Sequence, residues 1–263
     1  MRFEHADARF DEWVAVLERR HLADLRIAEV TRALRALSAA YVERRHTPGR
    51  GGPLDGAGKR AAFALFYAPL HYLATRHVVR SLDRALARPP STIVDLGCGS
   101  GAAGAAWAVA AGATSRVIGI DRHPWAVQEA RWTYRTMRLT GSARQGDATR
   151  IPALKPGSAI VAAYLLNELS AEGRDGMQDQ LIAASRRGIR VLVLEPIARG
   201  IAPWWPAAAA RFSEAGGRAD EWRFPIELPS VLKTLDRAAG LRHDELTVRS
   251  LWLGPTHGPA PET

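Results

Sequence analysis

The sequence predicts an α/β fold with a mostly parallel sheet, on three observations. Short apolar runs recur at Thr92–Leu96, Val117–Ile120, Ala159–Leu166 and Arg190–Leu194. Helical stretches lie between or beside them, at Gly101–Ala111, Pro124–Leu139 and Arg174–Arg187, and strands alternating with helices imply a parallel sheet covered on both faces. A glycine-rich turn, Gly97 to Gly101, joins the first run to the first helix, where such sheets bind ligands.

The elements before this region read as helical. Phe10, Trp13, Val14, Leu17, Leu22 and Leu25 recur near helical spacing, and Val30, Leu34 and Leu37 continue the stripe. Thr47 to Gly58 breaks the pattern and reads as a flexible loop. It is not a phosphate-binding loop: Pro53 stands where the first glycine must be, and Arg60 replaces the hydroxyl residue that would hold magnesium. Lys59 to Arg88 is helical again, with Pro69 expected to kink or divide it. Its Phe63, Phe66, Tyr67, His71, Tyr72 and His77 suit packing, while Tyr67, His71 and Tyr72 also suit a lid. Beyond the alternating region, Leu228 to Ala239 reads as a helix stopped by Gly240, and Asp244–Leu253 as one or two strands. The expected division is a helical cap over residues 1–88, a catalytic domain over 89–254 and a flexible tail over 255–263.

Composition narrows the function classes. Hydrophobic content of 47% and charged content of 24% are those of a globular chain, and no charge-free apolar run is long enough to cross a bilayer. The acid-bearing N-terminus lacks the core of a secretory signal, so a cytoplasmic location is expected. Cys98 is the only cysteine, which rules out an intrachain disulfide or a cysteine-built metal site, and no metal is expected. The formal charge of +9 attracts polyanions, nucleic acid first among them. Only Lys59, Lys155 and Lys233 are lysine, and this arginine bias equally fits a GC-rich coding background.

The glycine turn decides the cofactor. Gly99, Gly101 and Gly104 match GxGxxG, a pattern shared with dinucleotide enzymes. Asp95, just before the first glycine, argues against a pyrophosphate, which it would repel, and for S-adenosylmethionine, whose methionine end carries an ammonium and whose sulfur is cationic. Asp121 ends the second strand, where a carboxylate accepts from both ribose hydroxyls; capping the next helix is compatible with that role. Arg122 and His123 are placed to flank the adenine. Gly146-Asp147-Ala148 follows a short third strand, where Asp147 accepts from the adenine amino group and the adjacent backbone N–H faces a ring nitrogen. The expected cofactor residues are Asp95, Gly97, Cys98, Gly99, Gly101, Asp121, Arg122, Asp147 and Ala148, with Cys98 serving as a small turn residue.

VDLGCGSG, GID, GDA and a fourth strand ending in YLLNEL together resemble the class I S-adenosylmethionine-dependent methyltransferase superfamily from about Ser91 to Glu195. The resemblance implies a Rossmann-like, seven-stranded, mostly parallel sheet behind an N-terminal helical extension. LSAAY (Leu37–Tyr41), YAPLHYLATRHVV (Tyr67–Val79), YLLNEL (Tyr164–Leu169) and VLVLEP (Val191–Pro196) more narrowly resemble the ribosomal small-subunit assembly methyltransferase-like family. That branch implies the small ribosomal subunit or its RNA as partner. It often carries cluster-binding cysteines after the fifth strand; Ile197–Glu227 has none, but holds Trp204, Trp205, Trp222 and Phe224.

The acceptor should meet the methyl group at the end of the fourth strand, which makes Tyr164, Asn167 and Glu168 the catalytic candidates. Asn167 would orient cofactor or acceptor and Glu168 would serve as base, with helix capping the alternative for both. Glu195, ending the fifth strand near the same mouth, is a further candidate ranked after these. Nucleic-acid amino methyltransferases that resemble this fold carry an Asn/Asp-Pro-Pro-aromatic motif here, whose oxygen and backbone carbonyl grip an exocyclic amine; the prolines are missing after Asn167, so adenine-N6 chemistry is not supported. Trp204-Trp205, between Pro203 and Pro206, reads as a loop that either stacks a base or packs on the sheet. Three functions remain: methylation of RNA, methylation of a small metabolite, and cofactor-dependent ribosome assembly without transfer.

Overall fold

The computed structural model describes residues 8–43, 54–82, 88–197 and 202–254. The elements begin with α1 (Ala8–His21), α2 (Ile27–Glu43), α3 (Ala57–Ala62), a π-helical turn (Phe63–Tyr67) and α4 (Ala68–Ser81). There follow β1 (Thr92–Leu96), α5 (Ala102–Ala110), β2 (Arg116–Asp121), α6 (Pro124–Thr136), β3 (Gly141–Gln145) and β4 (Ala159–Ala163). A 3₁₀ turn (Leu166–Glu168), α7 (Ala171–Arg186), β5 (Arg190–Glu195), α8 (Trp205–Glu214), β6 (Arg218–Pro225), α9 (Ser230–Ala239) and β7 (Glu245–Leu253) complete them. Most of the expected loop over 47–58 and all of the expected tail over 255–263 lie outside the described residues.

Two compact units divide the chain elsewhere than at residue 88. One holds the segment up to His71 with Arg223–Leu246, and the other holds Tyr72–Trp222 with the segment from Thr247 onward. The first is helical. Phe10, Trp13, Val14 and Leu17 of α1 are buried, as are Val30, Leu34 and Leu37 of α2 and Val231, Leu232 and Leu235 of α9. Helix α9 packs on α2, where the Arg35 guanidinium donates to the Ala238 carbonyl. Leu22 and Leu25, expected to continue the α1 stripe, lie in the bend before α2 and are half-buried. Pro69 does not break its helix. The π-helical turn just upstream widens the ladder where a proline has no N–H to give.

The sheet has seven strands in the order β3-β2-β1-β4-β5-β7-β6. β1 to β5 pair in parallel, and β7 runs antiparallel to β5. Strand order reverses between β1 and β4, and the crevice at the carboxyl ends there is where open α/β sheets bind ligands. Val94, Ile160, Val191 and Leu251 are fully buried in one continuous core with Leu181 of α7 and Phe212 of α8. Each such side chain contributes on the order of 1.5–3 kcal/mol by leaving water.

Three expectations are corrected. The fourth strand stops at Ala163 rather than Leu166, because Tyr164 adopts a left-handed φ of 59° that leaves the pleat. Trp205 is not in a loop: it opens α8, with Pro206 in the first turn, where its missing N–H costs nothing. β6 is an additional strand. Its mostly exposed sequence, RADEWRFP, carries no apolar alternation to announce an edge strand.

Candidate functional site

The turn after β1 is built by glycine. Gly97, Gly99 and Gly101 have φ of 64°, 50° and 80°, a region that costs other L residues energy. A side chain at Gly97 would also collide with Leu165, whose Cδ1 would lie 2.8 Å from the added Cβ. The turn is moored to β2: the Gly97 and Cys98 amides donate to the Ile120 carbonyl at 2.8 and 3.1 Å, and the Gly99 amide donates to Asp121 Oδ2 at 2.9 Å. Gly97 and Gly99 stay half-exposed, so the turn offers its backbone outward. Cys98 is buried, and burial pushes its thiol well up, which suits a small packing residue.

Asp95 points beneath the turn. It is 1% exposed, and its Oδ2 accepts from the Gly104 amide at 2.8 Å in the first turn of α5. A Cβ on Gly104 would sit 2.9 Å from that oxygen, so the glycine lets helix and strand touch. Burial pushes the Asp95 carboxyl up to about 8; the Gly104 amide opposes the rise and the Asp121 charge adds to it. With the ordinary value near 3.8, the folded chain keeps a proton that the unfolded chain releases across this window. This contribution to stability is full below the ordinary value and is lost as pH rises toward 8. Asp95→Asn is therefore expected to flatten the fall in Tm of cofactor-free protein between about pH 5 and about pH 8, whereas an unchanged slope would refute the buried acid.

Asp121, half-buried, closes the other side. Besides Gly99, it accepts from the His123 amide at 2.8 Å through Oδ1, while His123 Nδ1 caps α6 by accepting from Trp125 N. Capping of α6 thus falls to His123. Arg122 is largely exposed and reaches across β1 to Glu168, guanidinium to carboxylate at 3.9 Å. Asp147 is exposed, accepts from the Thr149 amide and hydroxyl at 2.9 and 2.7 Å and lies 3.5 Å from Arg150; the Thr149 bonds hold its carboxyl below the usual range. Ala148 packs against the core edge.

The end of β4 is organised from β5. Glu195 is fully buried, and its Oε1 accepts from the Leu166 and Asn167 amides at 2.8 and 3.3 Å. Its Oε2 accepts from Asn167 Nδ2 at 2.6 Å, and Asn167 Oδ1 accepts from Trp204 Nε1 at 3.0 Å. Arg174 covers the Trp204 ring at 4.9 Å, and Arg249, opposite Glu195 in β7, lies over Trp205 at 4.3 Å. Burial pushes Glu195 up to about 8 despite the two amides and Arg249. Tyr164 is half-buried, and burial raises its phenol, with the Glu195 charge adding, so it stays protonated. Glu168 is the exposed acid of the group.

The structure thus brings Asp95, the glycines and Asp121 into one turn, and Asn167, Glu195 and Trp204 into another at the end of β4. Asp147 and Ala148 stand after β3, two strands away from β1. Sequence reasoning ranked Glu195 last and did not link Trp204 to Asn167; a carboxylate closing an otherwise apolar strand was the available signal. Among the aromatic residues considered for a lid, Tyr72 is fully buried and the Tyr67 hydroxyl bonds Ser38 at 2.9 Å. Among the described residues, no group of His, Cys, Asp and Glu could hold a metal, and no helix is long and apolar enough to cross a membrane.

The comparisons with known proteins agree with this layout. Residues 93–188, from β1 through α7, match the family model described as a methyltransferase domain. A protein from Nostoc punctiforme PCC 73102 assigned as an O-methyltransferase superposes with a TM-score of 0.50 at 13% identity, over 93% of this chain and 72% of that one, which supports the methyltransferase fold. An S-adenosylmethionine-dependent methyltransferase from Aquifex aeolicus gives 0.48 at 14% identity, over 72% and 93%. One from Geobacter sulfurreducens, solved with S-adenosyl-L-homocysteine, gives 0.44 at 15%, over 72% and 91%. No curated protein matches the chain in sequence.

Proposed function

We propose that the chain transfers the methyl group of S-adenosylmethionine to RNA, with the small ribosomal subunit or its RNA as the acceptor. The observation that carries this reading is a carboxylate-braced glycine cradle, Asp121 on Gly99, within a chain of formal charge +9. The residues fit the cofactor. A carboxylate offers about four acceptor positions, and the Gly99 and His123 amides use two, leaving two for the ribose hydroxyls. The half-exposed turn leaves room for close approach at Gly97 and Gly99, and Asp147 with the Ala148 amide suits the adenine edge. Because Asp95 is buried and tied to Gly104, its part is to hold the turn against the start of α5.

The cofactor supplies a methyl already activated by a sulfonium, so positioning is the protein's main contribution. Asn167, fixed at both ends of its amide, presents a rigid end to β4. Tyr164, a protonated phenol on a left-handed backbone, stands directly after β4 at the same strand end. Glu168 accepts a proton if the acceptor is a nitrogen or hydroxyl. Arg122 pairs with it at 3.9 Å across the mouth.

The test is transfer of radiolabelled methyl from S-adenosylmethionine to purified small subunits, free RNA and a small-molecule extract. Label in RNA with turnover is the expected result. Label confined to the small-molecule fraction would make the chain a metabolite methyltransferase, and tight cofactor binding without transfer to any pool would make it an assembly factor.

A further inference from the structure

The outer edge of the sheet carries a one-sign groove. β3 is the edge strand and α6 packs on it. Between residues 122 and 146 the basic side chains are Arg122, Arg131, Arg135, Arg138 and Arg144, all exposed, and the only acid, Glu129, is fully buried. Arg131 and Arg135 stand one helical turn apart and, with Gln128, Gly141 and Ser142, line an open groove of about 460 Å³. Arg131 is braced by donating Nε to the Ala143 carbonyl at 2.7 Å, which fixes its guanidinium beside the edge. No carboxylate lines the groove, and an edge strand adds outward backbone N–H donors.

We propose that this groove binds the phosphodiester backbone of RNA and leads the strand toward the methyl-transfer mouth. Guanidiniums matched to phosphates give planar, charge-assisted pairs, and a surface of donors without acids suits phosphate along its whole length. The direction follows from the sheet. β3 and β2 are parallel, Arg144 stands beside Ile120, and the next position of β2 is Asp121, so the basic edge ends at the cofactor side of the crevice. Arg122 carries the same sign onto the mouth itself. The purpose of the groove rests on the reading of RNA as acceptor; its affinity for the backbone rests on the groove alone.

The test is fluorescence anisotropy with a labelled single-stranded RNA oligonucleotide and, in parallel, polyglutamate, titrated across about 50 to 200 mM salt. Arg135→Glu/Arg144→Glu leaves the Arg131 brace in place; Arg186→Glu/Arg187→Glu, exposed at the end of α7, is the equal-charge control. The groove pair should weaken RNA binding about tenfold or more and lower the salt slope by about 2, with cofactor affinity by calorimetry unchanged and the control near wild type. Equal losses in both variants, or no RNA binding by the wild type at low salt, would overturn the groove. Polyglutamate binding as tight as RNA and equally lost would reassign the surface to an acidic protein and overturn it too. If RNA binds through the groove but takes no methyl label, the groove stands and the acceptor reading falls.

Discussion

Asp121→Ala is expected to weaken S-adenosylmethionine binding by at least 100-fold in calorimetry while the sheet remains folded. The carboxylate does two jobs at one point. It accepts from Gly99, holding the turn against β2, and from His123, fixing the start of α6. Its remaining acceptor positions are the ones we assign to the ribose. Hydrogen bonds to a charged group contribute about 1.5–3 kcal/mol each, so losing two ligand bonds alone corresponds to about 10²- to 10⁴-fold. Asp121→Asn should show a smaller loss, because its amide keeps one acceptor oxygen for Gly99. A dissociation constant within about threefold of wild type for the alanine variant would remove Asp121 from the cofactor site.

Glu195→Gln should separate positioning from binding. Its carboxylate gathers the Leu166 and Asn167 amides and the Asn167 side chain, and so sets the end of β4. Glutamine keeps the shape but has one acceptor oxygen, and its NH₂ group faces donors that the carboxylate satisfied. The expected result is a fall in kcat of about tenfold or more, with cofactor affinity changed by less than about threefold, because the glycine turn and Asp121 are untouched. Glu195→Ala should be worse for a different reason. It leaves the buried Leu166 amide without its acceptor, which costs about 1–3 kcal/mol and which a thermal melt would record as a drop in Tm. A glutamine variant with wild-type kcat would mean that Glu195 only packs.

The β1–turn–α5 unit and Asp121 were legible because their information is local. The strand, its glycines and the helix are contiguous, and positive φ at three alternate positions, Gly97, Gly99 and Gly101, demands glycine whatever surrounds them. The Gly104 position was legible as part of a pattern, but its physical reason, the 2.9 Å approach to Asp95, was not. Asp95 itself was read as facing the cofactor, and the structure turns it under the helix. Residue type places a carboxylate at a strand end; only the packing of α5 decides which way it points. Trp204-Trp205 misled for a similar reason. Flanking prolines resemble a loop, yet the second lies in the first turn of α8, and Trp204, just before that helix, anchors Asn167.

The sequence by itself determined the α/β alternation, the glycine turn after β1 and the residue types available at each strand end, since each depends on neighbours a few positions apart. Tertiary structure alone decided the pairing of Glu195 with Asn167 across 28 residues and of Asn167 with Trp204 across 37. It also gathered the arginines of α6 and β3 along one sheet edge, with the lone acid among them turned into the core. Register between strands, and the face a helix buries, are set by the whole core, and no local spacing encodes them.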